Sequence, residues 1–304
     1  MRLVLTIAFS LCLLGPAAAS STAQVVNPDW IDVAPAGESF HIWMPNQPTV
    51  ETQTTGTVSG KQYRSSTSLA TYTIWSVTDH NYQSDNKTEA YLDTTAELLW
   101  RELLQAARDN LDEKERERAR MTYVREVSRN DLPGREYTLN LGGWAGATQF
   151  FVAREHIYTL VVLGTAGADW SQEKFFTSFI TSLPPAAPPA NIGNALAAPV
   201  KIDSDDPNRI LTGKEVTQKV RILEKREPSY TDSARKFGVE GTVILRGVFS
   251  KDGEVTNLHV IQKLPHGLTE RAIAAAQGIK FVPAMKDGRA VSMWVELQYN
   301  FNLY

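Results

Sequence analysis

Ser292-Met-Trp-Val-Glu-Leu-Gln-Tyr-Asn-Phe-Asn-Leu303, at the end of the chain, alternates without a break between two sets of side chains. Met293, Val295, Leu297, Tyr299, Phe301 and Leu303 form one set; Ser292, Trp294, Glu296, Gln298, Asn300 and Asn302 form the other. Successive side chains of a strand point to opposite faces, so a period of two predicts one strand of about 12 residues, about 40 Å long, with one face on a core. Just upstream, Leu268, Ala272, Ala275 and Ile279 recur at helical spacing and offer a small-residue face that can lie close on a sheet. Earlier still, Gly241 to Ser250 and Val255 to Lys263 are β-rich runs on either side of Asp252-Gly253, a pair that accepts the positive φ angles of a tight turn, so they read as a hairpin. Thr231 and Gly238 bracket a short helix, a polar cap at one end and glycine at the other. The segment from 209 to 304 therefore reads as an α+β domain: a three-stranded antiparallel sheet with two helices on one face.

A second domain is expected ahead of it. Pro184-Pro185-Ala-Ala-Pro188-Pro189 opens a stretch rich in Ala, Pro, Asn and Asp that shows no sustained period. Such sequence stays extended, and residues 184–208 read as a linker whose reach is at most about 75 Å at about 3.1 Å per residue. At the other end, Arg2, the apolar run Leu3 to Leu14 and the small residues Ala17-Ala18-Ala19-Ser20 have the three parts of a secretory signal over residues 1–19. The run stops at Gly15-Pro16, short of the about 20 apolar residues that span a bilayer.

Between signal and linker, residues 28–183 read as an N-terminal α+β domain, an antiparallel sheet with helices. Ser39 to Trp43, Thr57 to Ser65, Leu69 to Val77, Met121 to Ser128, Arg135 to Leu141 and Thr148 to Ala153 have strand character, and Ile157 to Leu163, apolar on both faces, predicts a central strand. A helix is expected through Leu92, Leu99, Leu103 and Ala107, with Thr94 and Glu97 as its capping box. Phe175, Phe176 and Phe179 form a core-facing stripe in a closing helix.

The composition bounds the function. The chain has 304 residues, a formal net charge of -3, 42% apolar residues and one cysteine, Cys12, which lies in the expected signal. Near neutrality argues against a globally basic nucleic-acid binder, and one cysteine leaves no disulfide framework, thiolate zinc cage or CxxC pair. The charge is uneven: residues 20–184 carry 14 basic and 21 acidic side chains, whereas residues 209–304 carry 15 basic and 10 acidic. His41, His80 and His156 are far apart and none sits in an HxxxH or HExxH spacing, so no metal is expected. Neither a GxSxG elbow nor a GxGxxG or phosphate-binding loop occurs, and no catalytic residue or cofactor is assigned; Gly142-Gly143 reads as a turn. An enzyme built from distant segments of the N-terminal domain stays open as an alternative.

The order Pro228-Ser-Tyr230, Ala234-Arg235, Gly238-Val-Glu-Gly241-Thr-Val243, Asp252-Gly253-Glu-Val255, Leu268 to Ala276, Phe281-Val-Pro283-Ala284, Asp287-Gly288-Arg-Ala-Val291 and Phe301 resembles the TonB C-terminal domain family over about residues 224–304. The resemblance implies a periplasmic module of transmembrane transport in a Gram-negative-type cell envelope. It would bind a TonB box-like peptide of an outer-membrane receptor, or of another envelope protein, as an added strand beside its final strand. The partner-binding residues it implies are Tyr230, Ser292, Trp294, Glu296, Gln298 and Asn300, and the same edge could pair with a second copy of the chain. After the tyrosine, where family members have proline, this chain has Thr231. Family members that act as energy transducers are anchored in the inner membrane, which is the alternative here if the signal is not cleaved. The first domain resembles PsbP-like α+β domains in the Phe40 to Pro45 entry and the Phe-rich closing helix.

Overall fold

The computed structural model describes residues 30–55, 58–79, 88–107, 111–153, 156–167, 172–183 and 209–303. The expected signal with Cys12, the linker at 184–208 and His80 lie outside the described residues. The chain divides into two compact units, Met1–Ala190 and Asn191–Tyr304.

The first unit is built on two antiparallel meanders that share a seven-stranded sheet. β1 (Ile31–Val33) and β2 (Phe40–Met44) precede β3 (Thr49–Thr55), β4 (Val58–Ser66) and β5 (Ala70–Asp79); α1 (Thr88–Ala107) and α2 (Glu113–Arg118) follow. The second meander is β6 (Arg120–Arg129), β7 (Leu132–Leu141), β8 (Trp144–Ala153) and β9 (His156–Thr165). β9 pairs with β5, giving the order β3-β4-β5-β9-β8-β7-β6. α3 (Gln172–Thr177) and β10 (Ile180–Thr181) close the unit, with β10 and β1 on either side of β2.

Ile157 to Leu163 occupy the centre of this sheet, as their two-sided apolarity predicts, because both faces are covered. On one face Tyr158, Leu160 and Val162 pack with Phe40, Phe175 and Phe179 of the closing elements. On the other, the buried positions Leu92, Ala96, Leu99, Leu103 and Ala107 of α1 recur every three or four residues, the spacing that puts them on one stripe. Two-residue turns make the second meander possible: Asn130 and Asp131 join β6 to β7 at φ 47° and 63°, the left-handed pair that a tight hairpin turn requires. Gly142-Gly143 form the two-residue connection from β7 to β8, as their sequence suggests, with Gly142 in the left-handed region at φ 68° and Gly143 outside it.

Thr94 is not a helix cap. α1 begins at Thr88, so Thr94 lies within it and its hydroxyl donates to the carbonyl of Ala90, 2.8 Å away. The capping box belongs instead to α2, where the Asp112 carboxylate accepts from the Glu115 amide and the Glu115 carboxylate accepts from the Asp112 amide.

Arg135 ties α1 to the sheet. Its side chain is fully buried on β7 and pairs with Glu89 and Asp93, one turn apart on α1, and with Glu126, its cross-strand neighbour on β6, at 3.1 Å. Burial works against the guanidinium's charge, but Tyr137 and the three carboxylates outweigh it and hold its pKa above the ordinary arginine value.

The second unit contains β11 (Arg221–Glu224), α4 (Asp232–Lys236), β12 (Gly241–Phe249), β13 (Val255–Gln262), α5 (Leu268–Gln277), β14 (Lys280–Val282), β15 (Ala284–Lys286), β16 (Arg289–Val291) and β17 (Met293–Phe301). Its main sheet has the order β13-β12-β17, all antiparallel, with β11-β14 and β15-β16 as separate ribbons. Thr231 supplies in one residue what the local backbone needs: its hydroxyl oxygen accepts from the Ala234 amide at 3.0 Å, capping α4, and donates to the His266 carbonyl at 2.6 Å. Leu268, Ala272 and Ala276 form the buried stripe of α5, so Ala276 takes the place expected for Ala275, which is half-buried.

The final strand is shorter than its sequence pattern. β17 runs for nine residues, not about 12, because its partner β12 begins at Gly241, opposite Phe301. Past that pair the Leu303 amide leaves the ladder and donates to the Glu240 carboxylate at 2.6 Å.

Two outcomes follow from the first unit. Replacing Arg135 by alanine leaves three carboxylates facing a cavity, and urea unfolding of the variant should show a loss of about 3 kcal/mol; adding Glu126→Gln and Asp93→Asn should recover part of it. Gly146 on β8 has no room for a methyl, since a Cβ there would stand 1.9 Å from the Val162 carbonyl oxygen on β9. Gly146→Ala is expected to lower stability by about 1–3 kcal/mol in the same assay.

Candidate functional site: the outer edge of the final strand

β17 pairs with β12 through nine consecutive positions, from Gly241 opposite Phe301 to Phe249 opposite Met293, without a shift of register. In an antiparallel strand each residue turns its N–H and C=O to the same side, and the side alternates. Three hydrogen bonds fix which side is which. The Leu211 amide donates to the Ser292 carbonyl and the Trp294 amide donates to the Leu211 carbonyl, both at 2.9 Å, and the Lys225 ammonium donates to the Gln298 carbonyl, also at 2.9 Å. Even-numbered residues therefore turn their main chain away from β12, and odd-numbered ones bond to it.

Leu211 forms a single parallel bridge with Met293 and closes the start of the edge. Beyond it no described strand pairs with the outer side of β17, which is the end of its sheet. The carbonyl of Trp294, both groups of Glu296, the amide of Gln298 and both groups of Asn300 face outward there.

The opposite edge of the sheet is different. β13 meets β12 with two register shifts, and in both the extra residue is on β13: Ile261 at the first, and at the second the stretch that includes Asn257, whose φ is 48°. Bulges of this kind twist an edge and break the row of groups a further strand would need. The sheet therefore has one regular edge and one interrupted edge.

The six residues implied by the family resemblance do not all meet there. Trp294, Glu296, Gln298 and Asn300 form a row, with Arg246 of β12 stacked 4.9 Å over the Trp294 ring and the Gln298 amide 3.2 Å from the Glu296 carboxylate. The Thr242 hydroxyl donates to the Asn300 side-chain oxygen at 2.8 Å. Ser292 stands one residue before the strand, its carbonyl bonded to Leu211 and its hydroxyl oxygen accepting from the Lys251 amide at 3.1 Å. Tyr230 is on the packed side of the strand: its ring meets Phe301 edge to face at 5.4 Å and its hydroxyl donates to the Val239 carbonyl at 2.9 Å. Burial, with the Glu240 carboxylate adding to it, raises its pKa.

Lys225 and Leu211 were not legible as edge residues. Lys225 follows β11, and its ammonium lies 4.3 Å from the centre of the Tyr299 ring as well as on the Gln298 carbonyl. Tyr299 itself is fully buried, and burial, reinforced by Glu227, pushes its hydroxyl up to about 12. Nothing in the local sequence links residue 211 to residues 292–294 or residue 225 to residue 298, because both links are tertiary approaches. Among the described residues, no group of three or more His, Cys, Asp or Glu side chains is placed to hold a metal ion. No described helix is long and apolar enough to cross a membrane.

No curated protein matches the chain. Residues 226–303 match the family model described as Gram-negative bacterial TonB protein C-terminal, so the segment that carries the open edge of β17 is similar to the C-terminal domain of that family.

Proposed function

We propose that the chain is an exported, non-enzymatic protein of a Gram-negative-type envelope whose C-terminal domain captures an extended peptide, of the outer-membrane receptor type, by adding it as a strand to the outer edge of β17. The observation that carries this reading is the contrast between the two edges of one small sheet: β17 in continuous register with its partner and open outside, β13 bulged twice. Main-chain bonds to Trp294, Glu296, Gln298 and Asn300 supply most of the affinity in this mode, and side chains on the row tune it. Tyr230 acts at one remove, by holding Phe301 and so the end of the strand. In this reading residues 1–19 are a cleaved signal, residues 28–183 form a recognition domain of their own, residues 184–208 are a linker, and the mature protein is periplasmic.

The alternation of inward and outward main-chain groups gives a direct test. Glu296→Pro removes an outward amide and leaves the β12 ladder intact, whereas Leu297→Pro removes an inward one. Titrating receptor-derived peptides while following amide chemical shifts, Glu296→Pro should weaken binding at least about tenfold in a folded protein, and Leu297→Pro should unfold the domain. Glu296→Ala, which keeps the amide, should change affinity less than about threefold. Equal binding by Glu296→Pro and the parent chain would remove the strand-addition reading. Separately, the mass of the protein recovered from the periplasm should correspond to a start near Ser20; an intact Met1 would instead favour an inner-membrane anchor.

A further inference from the structure

Strand addition at β17 would use the carbonyl of Gln298, and Lys225 already stands on it. Its Nζ is 2.9 Å from that oxygen, and the ammonium lies 4.3 Å from the centre of the Tyr299 ring, which fixes its approach to the edge. The Glu227 carboxylate, 3.7 Å away, also holds the ammonium, but Glu227 is itself well exposed, so the arrangement is solvated and reversible. Together with the Leu211 bridge, this leaves the edge shut at its start and plugged near its far end, with open groups between.

We infer that Lys225 is an edge guard that selects against self-pairing. The inference rests on the strand-addition reading of β17 and adds to it a reason why the edge stays available. A peptide added to one chain displaces one Lys225. Two chains pairing β17 to β17 about a two-fold axis form an isologous interface, in which both copies must give up the same contact. The cost of displacement therefore enters once for peptide capture and twice for dimer formation. Charged side chains on open edges are a known way to prevent strand-to-strand association, and here the charge sits on a main-chain acceptor that the association would require.

The test compares the full chain with Lys225→Met, which keeps an unbranched stem for the Tyr299 ring but removes the ammonium, and with Lys225→Arg, which keeps a cation. An end-blocked, uncharged peptide of about eight alternating threonines and valines serves as the probe, with its affinity read from amide shifts and self-association from sedimentation equilibrium. Lys225→Met should bind the peptide about fivefold more tightly and dimerise about twenty-five-fold more tightly than the parent chain, while Lys225→Arg stays near the parent in both. Lys286→Met, on the β15–β16 hairpin, removes the same charge elsewhere and should reproduce neither change. The inference is overturned if Lys225→Met shows no tighter dimer, if its dimer gains no more than its peptide affinity does, or if Lys286→Met gives the same gains. If the peptide binds none of the chains, strand addition fails as the function, and the dimer measurement alone decides the guard: stronger self-association of Lys225→Met supports it, and unchanged association refutes it.

Discussion

The nine-position ladder between β12 and β17 is the constraint around which the C-terminal domain is arranged. It satisfies every inward main-chain group of β17 and, by the same alternation, commits every second residue to face outward. Once that register is set, the inward side chains Leu297, Tyr299 and Phe301 are buried, Tyr230 packs against the last of them, and the outward groups form an edge. Nothing on the outward side could be changed by one residue without turning the apolar set toward water. The open edge and the core are thus two consequences of one pairing.

The first unit solves the opposite problem. Its central strands are covered on both faces, by α1 on one and by β1, β2, β10 and α3 on the other, which is why β8 and β9 are buried at almost every position. Its most costly buried group is the Arg135 guanidinium, and three carboxylates from two different elements are drawn to it. That cluster is accounted for by structure: each of its members has a partner, and it joins the first turns of α1 to β6 and β7.

Much of this architecture was legible because it follows from local patterns. The two-sided apolarity of Ile157 to Leu163 marks the central strand, Phe175 and Phe176 mark the closing helix, although Phe179 falls beyond its last residue, Thr177, and Thr231 with Gly238 mark the ends of α4. The failures have physical causes as well. Thr94 and Glu97 have the spacing of a capping box, but a threonine hydroxyl inside a helix can bond back to the preceding turn, and it does so to Ala90. β3, with Thr, Gln and Glu at most positions, lacks an apolar alternation because it is an edge strand, so no period marks it. β1 and β10 are too short to show any period.

The candidate site divides along the same line. Which residues of the last strand share a face is already written in the chain, because a period of two is a local property, and the motifs that carry the family resemblance are local too, as the match over residues 226–303 bears out. The length of the strand, the side of it that remains open and the groups that stand on that side are set by folding. Those depend on where β12 begins, on the Leu211 bridge and on the reach of Lys225 to Gln298, contacts between residues about sixty or more apart in sequence whose approach no local pattern encodes.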